Sequence, residues 1–164
     1  METILRTLDR QLEVHRLLLE LSEQKRQVIV AGDVERLMQI TQKEGKLVRL
    51  AEQLETERAE AVQAYMRSRN MYVTSAITIQ TLSKIAVRLE EKQALAERRE
   101  ELLGLIGKLK QANDLNRQLI QQSLAFITYS LDILLDPSDQ EAVYHHPLQE
   151  QPAYQANSLF DRKA

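Results

Sequence analysis

The chain contains no cysteine and no tryptophan. That excludes a disulfide framework, a thiol nucleophile and any cysteine-bound metal site. Aromatic residues make up only 4% of its 164 residues, with four glycines and three prolines. So few aromatics argue against a thick globular core, and so few helix breakers leave long helices uninterrupted. Charge of one sign is missing too: 22 basic against 24 acidic residues give a net charge of −2, and no basic run exceeds two residues. Nothing there calls for nucleic acid or an anionic membrane surface. The longest uncharged runs, residues 70–83 and 118–131, fall short of the roughly 20 residues a membrane-spanning helix needs. The N-terminal METILRTLDRQLEVHR alternates charged and apolar residues and has no signal-peptide core. A single cytoplasmic domain is the expectation.

Catalytic patterns are equally scarce. There is no glycine-rich phosphate loop, no G-x-S-x-G and no H-E-x-x-H. The E-x-x-H pattern of di-iron bundles fails, because Leu12, Ala142 and Val143 stand three before His15, His145 and His146. The adjacent pair His145–His146 has no cysteine or clustered carboxylate at supporting spacing. His15, on an apolar face, reads as a partly buried polar core residue. No enzyme, no metal and no cofactor are expected.

What the chain has is helical periodicity, and the expected fold class is all-α. A first helix over residues 3–31, with Thr3 as N-cap, carries the seam Leu5, Leu8, Leu12, His15, Leu19 and Ser22, broadened by Leu18, Leu21 and Val28. Gly32 then suits a left-handed helix stop and Asp33 suits the next N-cap. So tight a joint predicts an antiparallel hairpin. The second helix, residues 34–66, repeats Leu37, Ile40, Glu44, Leu47, Ala51, Leu54, Arg58, Ala61 and Tyr65 in steps of three and four, about four heptads. Glu44 and Arg58 interrupt this seam; they either pair with another helix or reach solvent, and a narrow seam favours solvent. After a connection at residues 67–75, a short helix over 77–85, capped by Thr74 or Ser75, either closes one end of the bundle or runs straight into the next helix, since no glycine or proline separates them. A third helix over residues 87–135 spans about 70 Å. Gly104 and Gly107 inside it predict either close packing on a neighbour, the favoured reading, or a hinge. The predicted organisation is a coiled-coil-like three-helix bundle over residues 1–135, followed by a mobile tail over 136–164 that holds all three prolines, Pro137, Pro147 and Pro152.

The second half of the third helix is unlike the rest. Residues 118–131 carry no charge in a chain where 28% of residues do. Leu115, Leu119, Ile120, Phe126, Ile127 and Leu134 recur at helical spacing, between Asn116, Gln121, Gln122, Ser123, Thr128 and Ser130. A helix apolar on one side and uncharged on the others is suited to protein contact on more than one face. Asn116 lies on the row Leu105, Leu109, Ala112, Asn116, Leu119, Ser123, Phe126 and is expected to be buried. Asn113, three residues earlier, either fixes register across the seam or faces solvent.

Asn113-x-x-Asn116, then Leu119-Ile120-x-x-Ser123-Leu124-x-Phe126, a tyrosine (Tyr144) beyond the helix, and a terminal Asp161-Arg162-Lys163-Ala164 resemble the FlgN family of flagellar type III export chaperones. The order of two long antiparallel helices, a capping segment and a third long helix fits as well. The resemblance implies a cytoplasmic chaperone that holds hook–filament junction subunits of the FlgK and FlgL type before secretion. It also implies delivery to an export gate protein of the FlhA type. Carried onto this chain, Leu119, Leu124, Phe126 and Ile127 would contact the subunit, and Tyr144 would dock at the gate. The chain departs from the family pattern in having His145, and no glycine, beside that tyrosine; Tyr154 is the alternative. Two readings of other classes compete. A coiled-coil scaffold would bury the uncharged segment against its own copies. A membrane-surface helix would need basic flanks that the segment lacks.

Overall fold

The computed structural model describes residues 1–71 and 77–135. They form four helices: α1 (Glu2–Ala31), α2 (Val34–Ser68), α3 (Ile79–Ile85) and α4 (Leu89–Leu135). The all-α expectation holds. Residues 1–127 make one compact unit, and α4 runs on through residue 135 into a second.

The joint between α1 and α2 follows the predicted turn chemistry. Gly32 sits at φ 69°, ψ 19°, and its N–H and that of Asp33 close the helix by donating to the carbonyls of Ile29 and Val28. The Asp33 carboxylate accepts from the Arg36 N–H at 3.0 Å. The other end departs from expectation. Thr3 is not the N-cap of α1; the helix begins at Glu2, Met1 occupies the cap position, and its carbonyl accepts from the N–H groups of Ile4 and Leu5. The start two residues earlier accompanies a fully buried Ile4 and a Met1 packed against the core.

Cross-helix contacts fix the directions. Arg10 meets Glu57, Gln11 meets Glu55 and Lys25 meets Glu44, so α2 descends as α1 rises. Asp9 meets Arg98, Arg16 meets Glu101 and Ser22 meets Asn113 and Asn116, so α4 runs parallel to α1. Helix α1 therefore stands between two neighbours, and its buried face widens to Ile4, Thr7, Leu8, Gln11, Leu12, Val14, Leu18 and Ser22. One core cluster (Ile4, Leu8, Val62, Met66, Leu82, Ala86, Leu95) joins all three long helices at the end that α3 caps. A second, Val14, Leu18 and Leu54, is flanked by Leu109 of α4.

The short helix is capped by Thr78, whose hydroxyl accepts from the Thr81 N–H; Thr74 and Ser75, the expected caps, lie outside the described residues. Two further expectations are overturned. Glu44 and Arg58 do not reach out to solvent: Glu44 pairs with Lys25 of α1, both side chains under one-fifth exposed, and the Arg58 guanidinium forks onto Glu55. Gly104 and Gly107 are exposed, and a Cβ added at either would have no neighbour within 4 Å, so close helix packing does not account for them.

Candidate functional site

Helix α4 shows two adjacent rows with different fates. The inward row, Arg98, Leu102, Leu105, Leu109, Ala112, Asn116 and Leu119, alternates steps of four and three and is half-buried or buried throughout. Asn116 is its most buried member, 3% exposed, as its position on the apolar row predicted. Its Nδ2 donates to the Ser22 carbonyl at 2.8 Å and to Ser22 Oγ at 3.1 Å, while Ser22 Oγ donates to Asn113 Oδ1 at 3.0 Å. These bonds fix the register of α4 on α1, and Asn113, though exposed, takes part in them.

Beyond Leu119 the inward row loses its cover: Ser123 and Phe126 continue it and both are exposed. Leu124 is 59%, Phe126 70% and Ile127 53% exposed. Single exposed apolar residues are ordinary; here three stand together within one uncharged turn as an apolar patch. Leu119 differs from the other three expected subunit contacts, being half-buried against the bundle. Residues 128–135, which complete α4 within the second unit, expose Tyr129, Leu131, Ile133, Leu134 and Leu135. Tyr144 and Tyr154 lie outside the described residues.

The second row faces a groove that periodicity alone did not reveal. Because α2 and α4 both pack on α1, a trough opens between them with α1 as floor. One hollow of about 740 Å³ is lined by Gln11 and His15 of α1, Ala51, Glu55 and Arg58 of α2, and Leu102, Leu103 and Ile106 of α4. A second of about 410 Å³ follows it on every helix, with Leu18 and Lys25 below, Glu44 and Val48 on one wall, and Leu109, Asn113, Asn116, Arg117 and Ile120 on the other. The α4 wall reads Ile106, Leu109, Asn113, Arg117, Ile120. At the same spacing Leu124 and Ile127 come next. The exposed end of α4 thus prolongs one wall of the groove, a relation legible only once the wall residues are known.

The groove's polar groups bond chiefly to one another and to the helix backbone. His15 Nδ1–H donates to the Gln11 carbonyl at 2.7 Å. Gln11 Nε2 donates to Glu55 Oε2 at 3.0 Å, and Arg58 Nε donates to the same oxygen at 2.7 Å. The Arg58 guanidinium holds the Glu55 carboxyl below the usual carboxylate range; partial burial opposes this, and the Gln11 amide reinforces it. Among the described residues no group of three or more histidine, aspartate or glutamate side chains is gathered to hold a metal ion, and no helix is long and apolar enough to cross a membrane. What the surface offers is a trough whose apolar residues, Leu102, Leu103, Ile106, Leu109 and Ile120 among them, are interspersed with paired charges.

The family model described as FlgN protein matches residues 1–152. The chain belongs to the FlgN family. It is also similar to a protein of Bacillus subtilis (strain 168) described as uncharacterized protein YvyG, 32% identical over 164 residues that cover 99% of this chain and 98% of that one. No solved structure matches significantly. FlgN membership assigns a flagellar export chaperone role in general terms, and the paired hairpin, capping helix and long α4 are the scaffold on which this member carries it.

Proposed function

We propose that this chain is a cytoplasmic chaperone for hook–filament junction subunits of the FlgK and FlgL type, and that it delivers them to an export gate protein of the FlhA type. The observation that carries this reading is the exposed, charge-free surface of α4 at Leu124, Phe126 and Ile127, of which Leu124 and Ile127 continue the groove wall in register. A subunit that polymerises through its terminal helices presents apolar helix faces while monomeric. A helix laid along the α2–α4 groove covers such a face and blocks premature self-association. Leu124, Phe126 and Ile127 make the contact, and Leu119 supports them from within the bundle. Tyr144 engages the gate while the bundle holds the subunit.

The test is titration calorimetry of the full chain against purified subunits of both types, repeated with Phe126→Asp and Ile127→Asp. Micromolar or tighter binding, weakened at least tenfold (about 1.4 kcal/mol) by either substitution while helicity persists, supports the reading. Absence of binding to both subunits sinks it. A tight homo-oligomer in sedimentation that added subunit leaves intact supports the scaffold instead.

A further inference from the structure

The uncharged end of α4 has a counterpart on α2. Val34, Met38, Thr41, Gly45 and Val48 follow one another in steps of four and three, carry no charge and are all exposed. Val48 shares a hollow with Ile120 of α4, so this row carries the α2 wall of the groove on toward the hairpin tip. A Cβ added at Gly45 would meet nothing within 4 Å, which leaves the wall low there and open to close approach. Charge stops on both walls at about one height. Lys25 pairs with Glu44, and Ser22, almost one turn earlier on α1, holds Asn116, so Thr41 stands about level with Ile120. Below that level the walls carry Glu52 and Glu55 on α2 and Arg117 on α4. Above it, the row from Thr41 to Val34 and the row from Ile120 to Ile127 are both free of charge.

We propose that this uncharged stretch of the groove receives the α4 end of a second copy of the chain, each copy laying its own end in the groove of the other. The occupant that fits two uncharged walls is an uncharged apolar helix, and the chain carries one: Ile120, Leu124, Ile127, Leu131 and Leu134 repeat in steps of four and three with no charge before Asp132. A twofold axis between Leu124 and Ile127 runs the two α4 helices antiparallel. It sets Leu131 against Ile120 of the other copy and beside Thr41, and Leu134 against the aliphatic stem of Arg117. The area suffices only if the exchange is mutual. Residues 120–135 form a rod about 24 Å long and about 10 Å across, and half its circumference is roughly 380 Å². Lending an end and receiving one removes about 700 Å² from each copy, close to the roughly 800 Å² per partner of a stable interface. One end docked alone would bury about half of that, the size of a chance contact. The dimer stands independently of the chaperone reading. On that reading, Leu124 and Ile127 serve both contacts, so subunit and second copy exclude one another and the free chaperone keeps its adhesive face covered.

The experiment is sedimentation of the full chain over a range of concentrations, for wild type, Thr41→Glu, Leu131→Lys and the two substitutions together. Both positions are exposed, and circular dichroism with thermal unfolding checks that each variant folds as the wild type does. The wild type is expected to run at twice the 19.0 kDa of one chain at micromolar concentration. Either single substitution puts a lone charge into the uncharged joint and is expected to weaken the dimer at least tenfold (about 1.4 kcal/mol). The double variant brings opposite charges face to face and is expected to recover most of that loss, which a variant that merely folded poorly would not do. A wild type still monomeric at about 100 μM overturns the proposal, and so does a dimer that both single variants leave within about twofold of wild type. Loss in the single variants without recovery in the double overturns it as well, because the α4 end then does not meet the α2 wall. The calorimetry above tests subunit binding separately, so either reading can fail while the other stands.

Discussion

Replacing the two glycines inside α4 by alanine should stabilise the protein, while the same replacement at Gly32 should destabilise it. At residues 104 and 107 the backbone is helical, the positions are exposed, and an added Cβ meets nothing within 4 Å. The only change is then the backbone freedom that glycine gives the unfolded chain and the poor shielding it gives the helix, about 1 kcal/mol per site. The gain registers in global stability because α4 is tied to the core on both sides of the pair, by Leu95 in one cluster and Leu109 against the other. Gly104→Ala and Gly107→Ala together should add about 2 kcal/mol in urea unfolding, or about 3–5 °C per substitution in the midpoint of a thermal melt. Gly32, at φ 69°, has equally open surroundings, but an alanine there must adopt the left-handed conformation at a cost of about 1–2 kcal/mol. The contrast in sign is the test. Loss of stability at 104 and 107 would refute the argument and show that the glycines meet a close neighbour or a bend in the folded chain.

Leu54, fully buried in the second core cluster, should cost about 2–5 kcal/mol when replaced by alanine, read as a shift of the urea midpoint with an unchanged slope. Asp33→Ala should cost about 1 kcal/mol by removing the acceptor that closes the first turn of α2, and Asp33→Ser should restore most of it. The Glu55 carboxyl titrates below its ordinary value of 4.5, chiefly through the Arg58 hydrogen bonds. Its contribution is therefore complete above that value and lost as pH falls through the lowered one. The stability difference between wild type and Glu55→Gln should be constant near neutrality and shrink under acid conditions; a difference that grows on acidification would contradict the assignment.

The parts of the fold visible in the sequence were those set by neighbours along the chain. Gly32 and Asp33 carry the turn in their own chemistry, and the seam from Leu37 to Tyr65 is half-buried or buried at every position. Asn116 was legible because an apolar row runs through it. The failures came where a second helix decides. Glu44 finds its partner in Lys25 of α1, which no periodicity within α2 reveals, and Arg58 turns back onto Glu55 of its own helix beside Gln11 of α1. The glycines of α4 resemble packing glycines until one knows that their side of the helix faces nothing. Gln11 was overlooked because the chosen seam ran through Leu12 and His15. The row Ile4, Thr7, Gln11, Val14, Leu18 was present all along, and it is buried because α1 has two neighbours instead of one. The groove itself has no local signature, since it exists only where α2 and α4 pack on α1 without closing on each other.

Under the proposed function, the division of α4 into a charged first half and an uncharged second half follows from what each would do in a free and a bound state. Residues 88–104, RLEEKQALAERREELLG, keep their outer side in water whether or not a partner is present, so charge there has no desolvation cost. A surface that is wet when free and covered when bound cannot carry such groups cheaply, because burying an ion costs several kcal/mol where a neutral amide or hydroxyl costs about 1–3 and recovers it on finding a partner. Gln121, Gln122 and Ser123 hydrate the helix between Ile120, Leu124 and Phe126 without forbidding its burial. Most of α1 and most of α2 show the contrast, since their outer faces carry charge at short intervals, from Glu2 to Arg26 and from Lys43 to Arg67.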